Sequence, residues 1–227
     1  MVPIRFIPTR RKSDVSEILA ILKEMVVDGK HKEIEAQVQI AIDSGIDLNR
    51  IINDALISAM DIIGKRFADG EIYVPEMLVS AMTMKLGLEK IKPLLTEEET
   101  ETKGTILMCT VKGDLHDIGK NLVVMMLEGA GFKVIDLGVD VKMDKLLQTL
   151  KDKKVDILGL SALLTTTMPE MHRVIEALEV EGLRDNIKVI VGGAPIDKKF
   201  ADKIGADGYA KDAAEAVQLA RELVSVG

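Results

Sequence analysis

The chain has no tryptophan, one cysteine, three histidines and only 3% aromatic residues among its 227 positions. A lone Cys109 has no partner for an internal disulfide, which fits a reducing, cytoplasmic location. Cys109 falls inside an apolar run and reads as a core residue, not a reactive thiol. With so few rings, packing must rest on Leu, Ile, Val, Ala and 12 Met, the last being adaptable in shape. Positive charge is also in short supply. The net charge of −7 and a pI near 5.2 exclude a non-specific nucleic-acid binder and a protein drawn to anionic membranes. No apolar run is long enough to span a bilayer. The basic start, residues 1–12, is not followed by the apolar stretch of a secretory signal.

What is present is 47% hydrophobic and 30% charged, an ordinary globular balance for one large or two small domains. The first part reads as helices throughout. Ser13 or Asp14 caps a helix to about Asp28, Lys32–Ser44 is a second, and Asp47 to about Phe67 is a third. Pro75 suits the first turn of a fourth, which runs to about Ile91. Four helices with short connections predict a small bundle over residues 1–95. Pro93 and the acidic, Thr-rich run that follows predict a linker at 96–103.

From 104 to 227 the rhythm alternates. Strands are expected at 104–111, 133–138, 155–161, 187–192 and 207–210. Helices are expected at 118–130, 143–153, 168–180, 197–204 and 213–225. This pattern implies a parallel sheet covered on both faces, and five strands suit the flavodoxin-like order 2-1-3-4-5. The fold class is therefore α/β: a four-helix bundle cap followed by a Rossmann-type, five-stranded parallel sheet.

In such a sheet, ligands bind beyond the carboxyl ends of the strands. Three features fall there. The loop after strand one is Gly113-Asp114-Leu115-His116-Asp117-Ile118-Gly119. After strand three comes Ser161-Ala162-Leu163, leading into the hydroxyl row Thr165-Thr166-Thr167. After strand four comes Gly192-Gly193-Ala194. Strands one, three and four are neighbours in the expected order, so these loops converge. A neutral imidazole is a good metal ligand, which makes His116 the candidate, with Asp114 placed to hold its second nitrogen. Ser161 could hold Asp114 in turn. Gly192 and Gly193 would let a flat or bulky group approach the backbone. His31 and His172 have no comparable setting and read as solvated.

Asp114-x-His116-x-x-Gly119, Ser161-x-Leu163 and Gly192-Gly193 resemble the pattern of corrinoid-binding proteins of methyltransferase systems. They are also similar to the cobalamin-binding portion of cobalamin-dependent methionine synthase. The helical half resembles the cap of that family, including Phe67–Pro75, and the likeness runs over roughly residues 13–225. The resemblance implies cobalamin or a related corrinoid as cofactor, carried as methylcobalamin, with His116 as lower axial ligand to cobalt. It implies an Asp114–Ser161 relay behind His116 and a corrinoid tail running past Ser161, Thr165 and Gly192-Gly193. It implies cap residues Tyr73, Pro75 and Met77 near the methyl.

The function implied is a methyl carrier that is not itself a catalyst. A donor-specific methyltransferase would load Co(I), a second would pass the methyl to tetrahydrofolate or a thiol, and a reductive activase would restore the cofactor. Two other readings compete. Leu115-His116-Asp117 also resembles the His-Asp signature of metal-dependent phosphohydrolases, but those are all-helical and need more histidines. A corrinoid-sensing regulatory module would usually need a basic DNA-binding segment, and none is evident.

Overall fold

The computed structural model describes residues 12–95 and 102–225. The basic start and most of the expected linker lie outside the described residues. Helices α1 (Lys12–Val27), α2 (Ile34–Asp43), α3 (Leu48–Arg50), α4 (Ser58–Ala68) and α5 (Val74–Ile91) build the first part. Asp47 caps α3 by accepting from the Arg50 N–H at 3.0 Å. Between α3 and α4 the backbone continues as a seven-residue π-helix, Ile51–Ile57. The expected single helix over 47–67 is thus one rod with a wider turn inside it. Its end is marked by the Ser58 hydroxyl, which donates back to the Asp54 carbonyl at 2.6 Å. Such back-bonding competes with regular helix geometry. Glu76 accepts from the Tyr73 N–H at 2.9 Å at the start of α5, where Pro75 leaves no donor unsatisfied.

The second part alternates β1 (Thr105–Thr110), α6 (Ile118–Gly129), β2 (Lys133–Asp136), α7 (Met143–Asp152), β3 (Ile157–Ser161), α8 (Met168–Val180), β4 (Lys188–Gly192), α9 (Lys198–Ile204), β5 (Gly208–Tyr209) and α10 (Ala213–Ser225). All strand pairs are parallel and the order is β2-β1-β3-β4-β5, as the sequence predicts. The β1–β3 register sets Thr110 against Ser161, and the β3–β4 register sets Ser161 against Gly192. The ends of the three central strands are therefore level.

Side chains alternate between the two faces. Leu107, Cys109, Leu158, Leu160, Val189 and Val191 face α7, α8 and α9 in one closed core. Ile106, Met108, Ile157 and Ile190 face α6 and α10. That second core runs on without a break into the helical cap. Gly129 of α6 lies where an added Cβ would come within 3.1 Å of Met60 and 3.2 Å of Met84. Asp61 of α4 accepts from Arg221 of α10. The cap is thus packed against α6 and α10. No helix among the described residues is long and apolar enough to cross a membrane.

Cys109 is 1% exposed, and burial pushes its thiol up to about 12. It is the core residue expected of it. His172 is exposed as expected, whereas His31 is half-buried and bonded to the Gly29 carbonyl at 3.2 Å.

Leu56 of the π-helix is fully buried and packs against Gly87 of α5. Leu56→Ala should lower the unfolding free energy by about 2–5 kcal/mol, the usual range for a buried leucine. Urea denaturation followed by circular dichroism measures it.

Candidate functional site

The loop from β1 to α6 carries His116 out over the level strand ends. Asp114, two residues earlier, is wholly buried. Its Oδ1 receives the His116 Nδ1–H at 2.7 Å and the His116 backbone N–H at 3.1 Å. Its Oδ2 receives the Thr167 hydroxyl at 2.7 Å and the N–H groups of Leu163 and Leu164 at 2.8 and 3.2 Å. Burial alone would push this carboxyl up. The Leu163 N–H, the His116 ring, the Thr167 hydroxyl and the His116 N–H outweigh it and hold Asp114 well below the usual carboxylate range.

An ionised carboxylate only accepts, so Nδ1 carries the ring proton and Nε2 keeps its lone pair. The His116 side chain is 52% exposed, and among the described residues Nε2 has no hydrogen-bond partner. Thr110, itself buried, fixes the His116 main chain by donating to its carbonyl at 2.9 Å. The site presents one free, oriented imidazole nitrogen.

Beside His116 opens a cavity of about 570 Å³. It runs between α6 and α10, on the face of the sheet that the cap shares. The reason is a shortage of side-chain atoms. Gly159, Ser161 and Gly192 occupy successive inward positions on β3 and β4, and Ala213 and Ala216 face them from α10. A Cβ on Gly192 would sit 3.0 Å from the Ala210 carbonyl oxygen. At Gly193 it would sit 1.9 Å from the Ala162 carbonyl oxygen, and the φ of +132° is open only to glycine. Met108 lies across Gly159 at the floor.

The loop residues expected from the sequence come together here. Leu115, His116, Asp117, Ile118 and Gly119 line one side. Ser161, Leu163, Gly192, Gly193 and Ala194 line the other. Gly113 and Asp114 stand behind the lining and support it. Leu115 and Ile118 are 71% and 84% exposed, an apolar rim around the imidazole.

One expectation needs correction, the Asp114–Ser161 relay, and the structure places Thr165 and the cap residues as follows. Ser161 makes no hydrogen bond to Asp114 among the described residues; the hydroxyl behind Asp114 belongs to Thr167. Ser161 lies on the sheet face of the cavity, while Thr167, at the start of α8, reaches under the loop. Thr165 is exposed and outside the cavity lining. Met77 is fully buried in the bundle, and Tyr73 is 72% exposed and also outside the lining. The cap residues that reach the cavity are Phe67 and Val74, because α4 ends and α5 begins at its mouth.

The chain is similar to known proteins over nearly its whole length. Residues 104–218 match the family model described as a B12 binding domain, and residues 18–92 match a second model of that description. The chain belongs to the B12-binding corrinoid protein family. A corrinoid protein of Desulfitobacterium hafniense strain Y51 is 39% identical over 92% of this chain and 99% of its own. Dimethylamine corrinoid protein 1 of Methanosarcina acetivorans is 42% identical over 92% of this chain and 98% of its own. Among solved structures, the methanol:cobalamin methyltransferase complex MtaBC from Methanosarcina barkeri matches with a TM-score of 0.84. It is 30% identical, over 93% of this chain and 81% of that chain.

The cofactor is a corrinoid, and this chain's residues fit it. A free imidazole nitrogen suits an axial metal position. A slot bared of side chains, opening beside that nitrogen, suits a long tail. The phosphohydrolase reading fails, since the motif follows a strand of a parallel sheet and lies within the stretch that matches the B12 binding domain.

Two tests follow from the Asp114 hydrogen bonds. Thr167→Val should raise the Asp114 carboxyl pKa, and Ser161→Ala should leave it unmoved, as read by carbon NMR titration. Asp114 titrates lower folded than unfolded, so its contribution to stability is complete above the unfolded value of about 3.9 and lost as pH falls through the folded one. The stability gap between wild type and Asp114→Asn should be constant near neutrality and narrow below about pH 4.

Proposed function

We propose that this chain is the methyl carrier of a corrinoid-dependent methyltransferase system, with catalysis left to partner enzymes. The observation that carries this reading is the free Nε2 of His116 standing beside a slot emptied of side chains. When bound, the corrinoid supplies a cobalt centre able to accept and release a methyl group. The protein's own part is to hold and orient. His116 offers Nε2 to the metal, and Asp114 keeps the ring in the tautomer that allows it. The slot between α6 and α10 takes the tail past Ser161, Gly192 and Gly193. Leu115, Ile118, Leu163 and Ala194 give the ring system an apolar seat. Gly113, Asp117 and Gly119 shape the loop that presents His116.

Two relatives carry methylamine and methanol chemistry in their names, which supports a methyltransferase as partner. The finer scheme has a donor-specific methyltransferase loading the methyl, a second delivering it to tetrahydrofolate or a thiol, and an activase restoring the reduced state. The reading divides the chain into a cap, 1–95, a linker, 96–103, and a corrinoid domain, 104–227. The family matches, which end at 92 and resume at 104, support that division. The reading places all of this in the cytoplasm.

Reconstitution with hydroxocobalamin should give one corrinoid per chain. Electron paramagnetic resonance of the Co(II) form should show splitting from one protein nitrogen. His116→Ala should remove that splitting and weaken binding about 10–100-fold. Splitting retained in His116→Ala would refute the ligand assignment. The carrier role is tested separately, by whether purified dimethylamine or methanol methyltransferase methylates the reconstituted protein. Transfer with neither, nor with other donor methyltransferases, would argue against it.

A further inference from the structure

We infer that the turn leaving β2 is a clasp on the His116 loop, with Asp140 and the Lys120–Asp136 pair as positioning residues for the imidazole. The inference rests on the ligand role of His116 given above; of its residues Lys120 borders the cavity, Asp136 and Asp140 do not, and none of them donates to the Asp114 carboxylate.

The His116 loop is short and anchored at each end by a carboxylate from the same neighbouring segment. At its start, the Gly113 N–H donates to Asp140 Oδ1 at 2.7 Å. The Asp140 N–H donates back to the Asp114 carbonyl at 2.9 Å. The two segments are thus cross-linked on both sides of the Gly113–Asp114 peptide. Asp140 has a φ of +49°, the one positive φ outside glycine among the described residues. A left-handed aspartate costs energy and persists where surroundings fix it. Here the conformation is what turns both its N–H and its carboxylate toward the loop.

At the far end, Lys120 lies in the first turn of α6. Its side chain is 1% exposed, and its ammonium donates to Asp136 Oδ2 at 2.5 Å and to Asn121 Oδ1 at 2.7 Å. Asn121 donates through its amide to Asp117 Oδ2 at 3.1 Å and through its backbone N–H to the Asp117 carbonyl at 2.7 Å. Asp136 in turn accepts the Gly138 N–H at 2.9 Å through its other oxygen. A continuous chain of bonds therefore links the last residue of β2 to the residue after His116. A buried ammonium is costly unless paired, so this contact is an anchor and not a loose surface pair. Asp136 and Asp140 lie four residues apart and grip the loop before and after the imidazole. The ring's reach toward the metal is set by both grips.

The test uses the full chain titrated with hydroxocobalamin. Asp140→Gly keeps the left-handed backbone and deletes the carboxylate. It should weaken binding by about tenfold or more and broaden or reduce the nitrogen splitting of the Co(II) form. Asp140→Asn retains an acceptor oxygen and tolerates a positive φ, so it should restore most of both signals. Lys120→Met should act like Asp140→Gly; if it does not fold, Asp136→Asn takes its place. Folded Asp140→Gly and Lys120→Met proteins with wild-type affinity and unchanged splitting would overturn the inference while leaving the carrier reading intact. Failure of wild type to bind cobalamin would overturn both.

Discussion

The site depends on one buried charge. Asp114 has no contact with water and remains ionised because backbone and side-chain donors surround it. Those donors come from two stretches: the His116 loop, and the turn after β3 that runs from Leu163 to Thr167 ahead of α8. A buried carboxylate without them would be neutral, and a neutral carboxyl could present its own proton to the ring. The ionised form fixes the imidazole tautomer and, in the same act, pins two strand-end loops together. Ligand chemistry and loop architecture are therefore a single electrostatic arrangement.

Around that charge the sheet is asymmetric. The face under α7, α8 and α9 is filled by Leu, Ile and Val in the manner of any parallel sheet. The opposite face is filled near the start of its strands and emptied near their ends, where Gly159, Ser161 and Gly192 leave room. Helix α10 keeps the room open by presenting Ala213 and Ala216. The cap closes the remaining apolar surface of α6 and α10, so the cavity is open at the strand ends beside His116.

The fold was legible because the periodicity changes so sharply after residue 103, and because glycines and prolines fall at element ends. The loops bearing Asp114, His116 and Gly192-Gly193 were legible for the same reason: strand order brings them together. Three things were not. A π-helix has no period of its own over seven residues, so Ile51–Ile57 passes for ordinary helix. The hydroxyl that meets Asp114 depends on how the turn after β3 folds back. Thr167, the last of a row of three threonines, reaches it, while Ser161 at the strand end points into the cavity. The cap contacts depend on how two packed units meet, which no local pattern encodes; Phe67 and Val74 arrive there, while Met77 of the same helical pair stays in the bundle core. Gly159 did leave a signal, an isolated glycine within an apolar strand, which marks close approach by another group.

The slot has an unusual inheritance. Most binding sites are composed of side chains that drift can trim or exchange. This one is composed in good part of atoms that are not there. At Gly159, Gly192 and Gly193 every possible amino-acid change adds volume, and none removes any. Selection at these positions therefore works in one direction only, against gain.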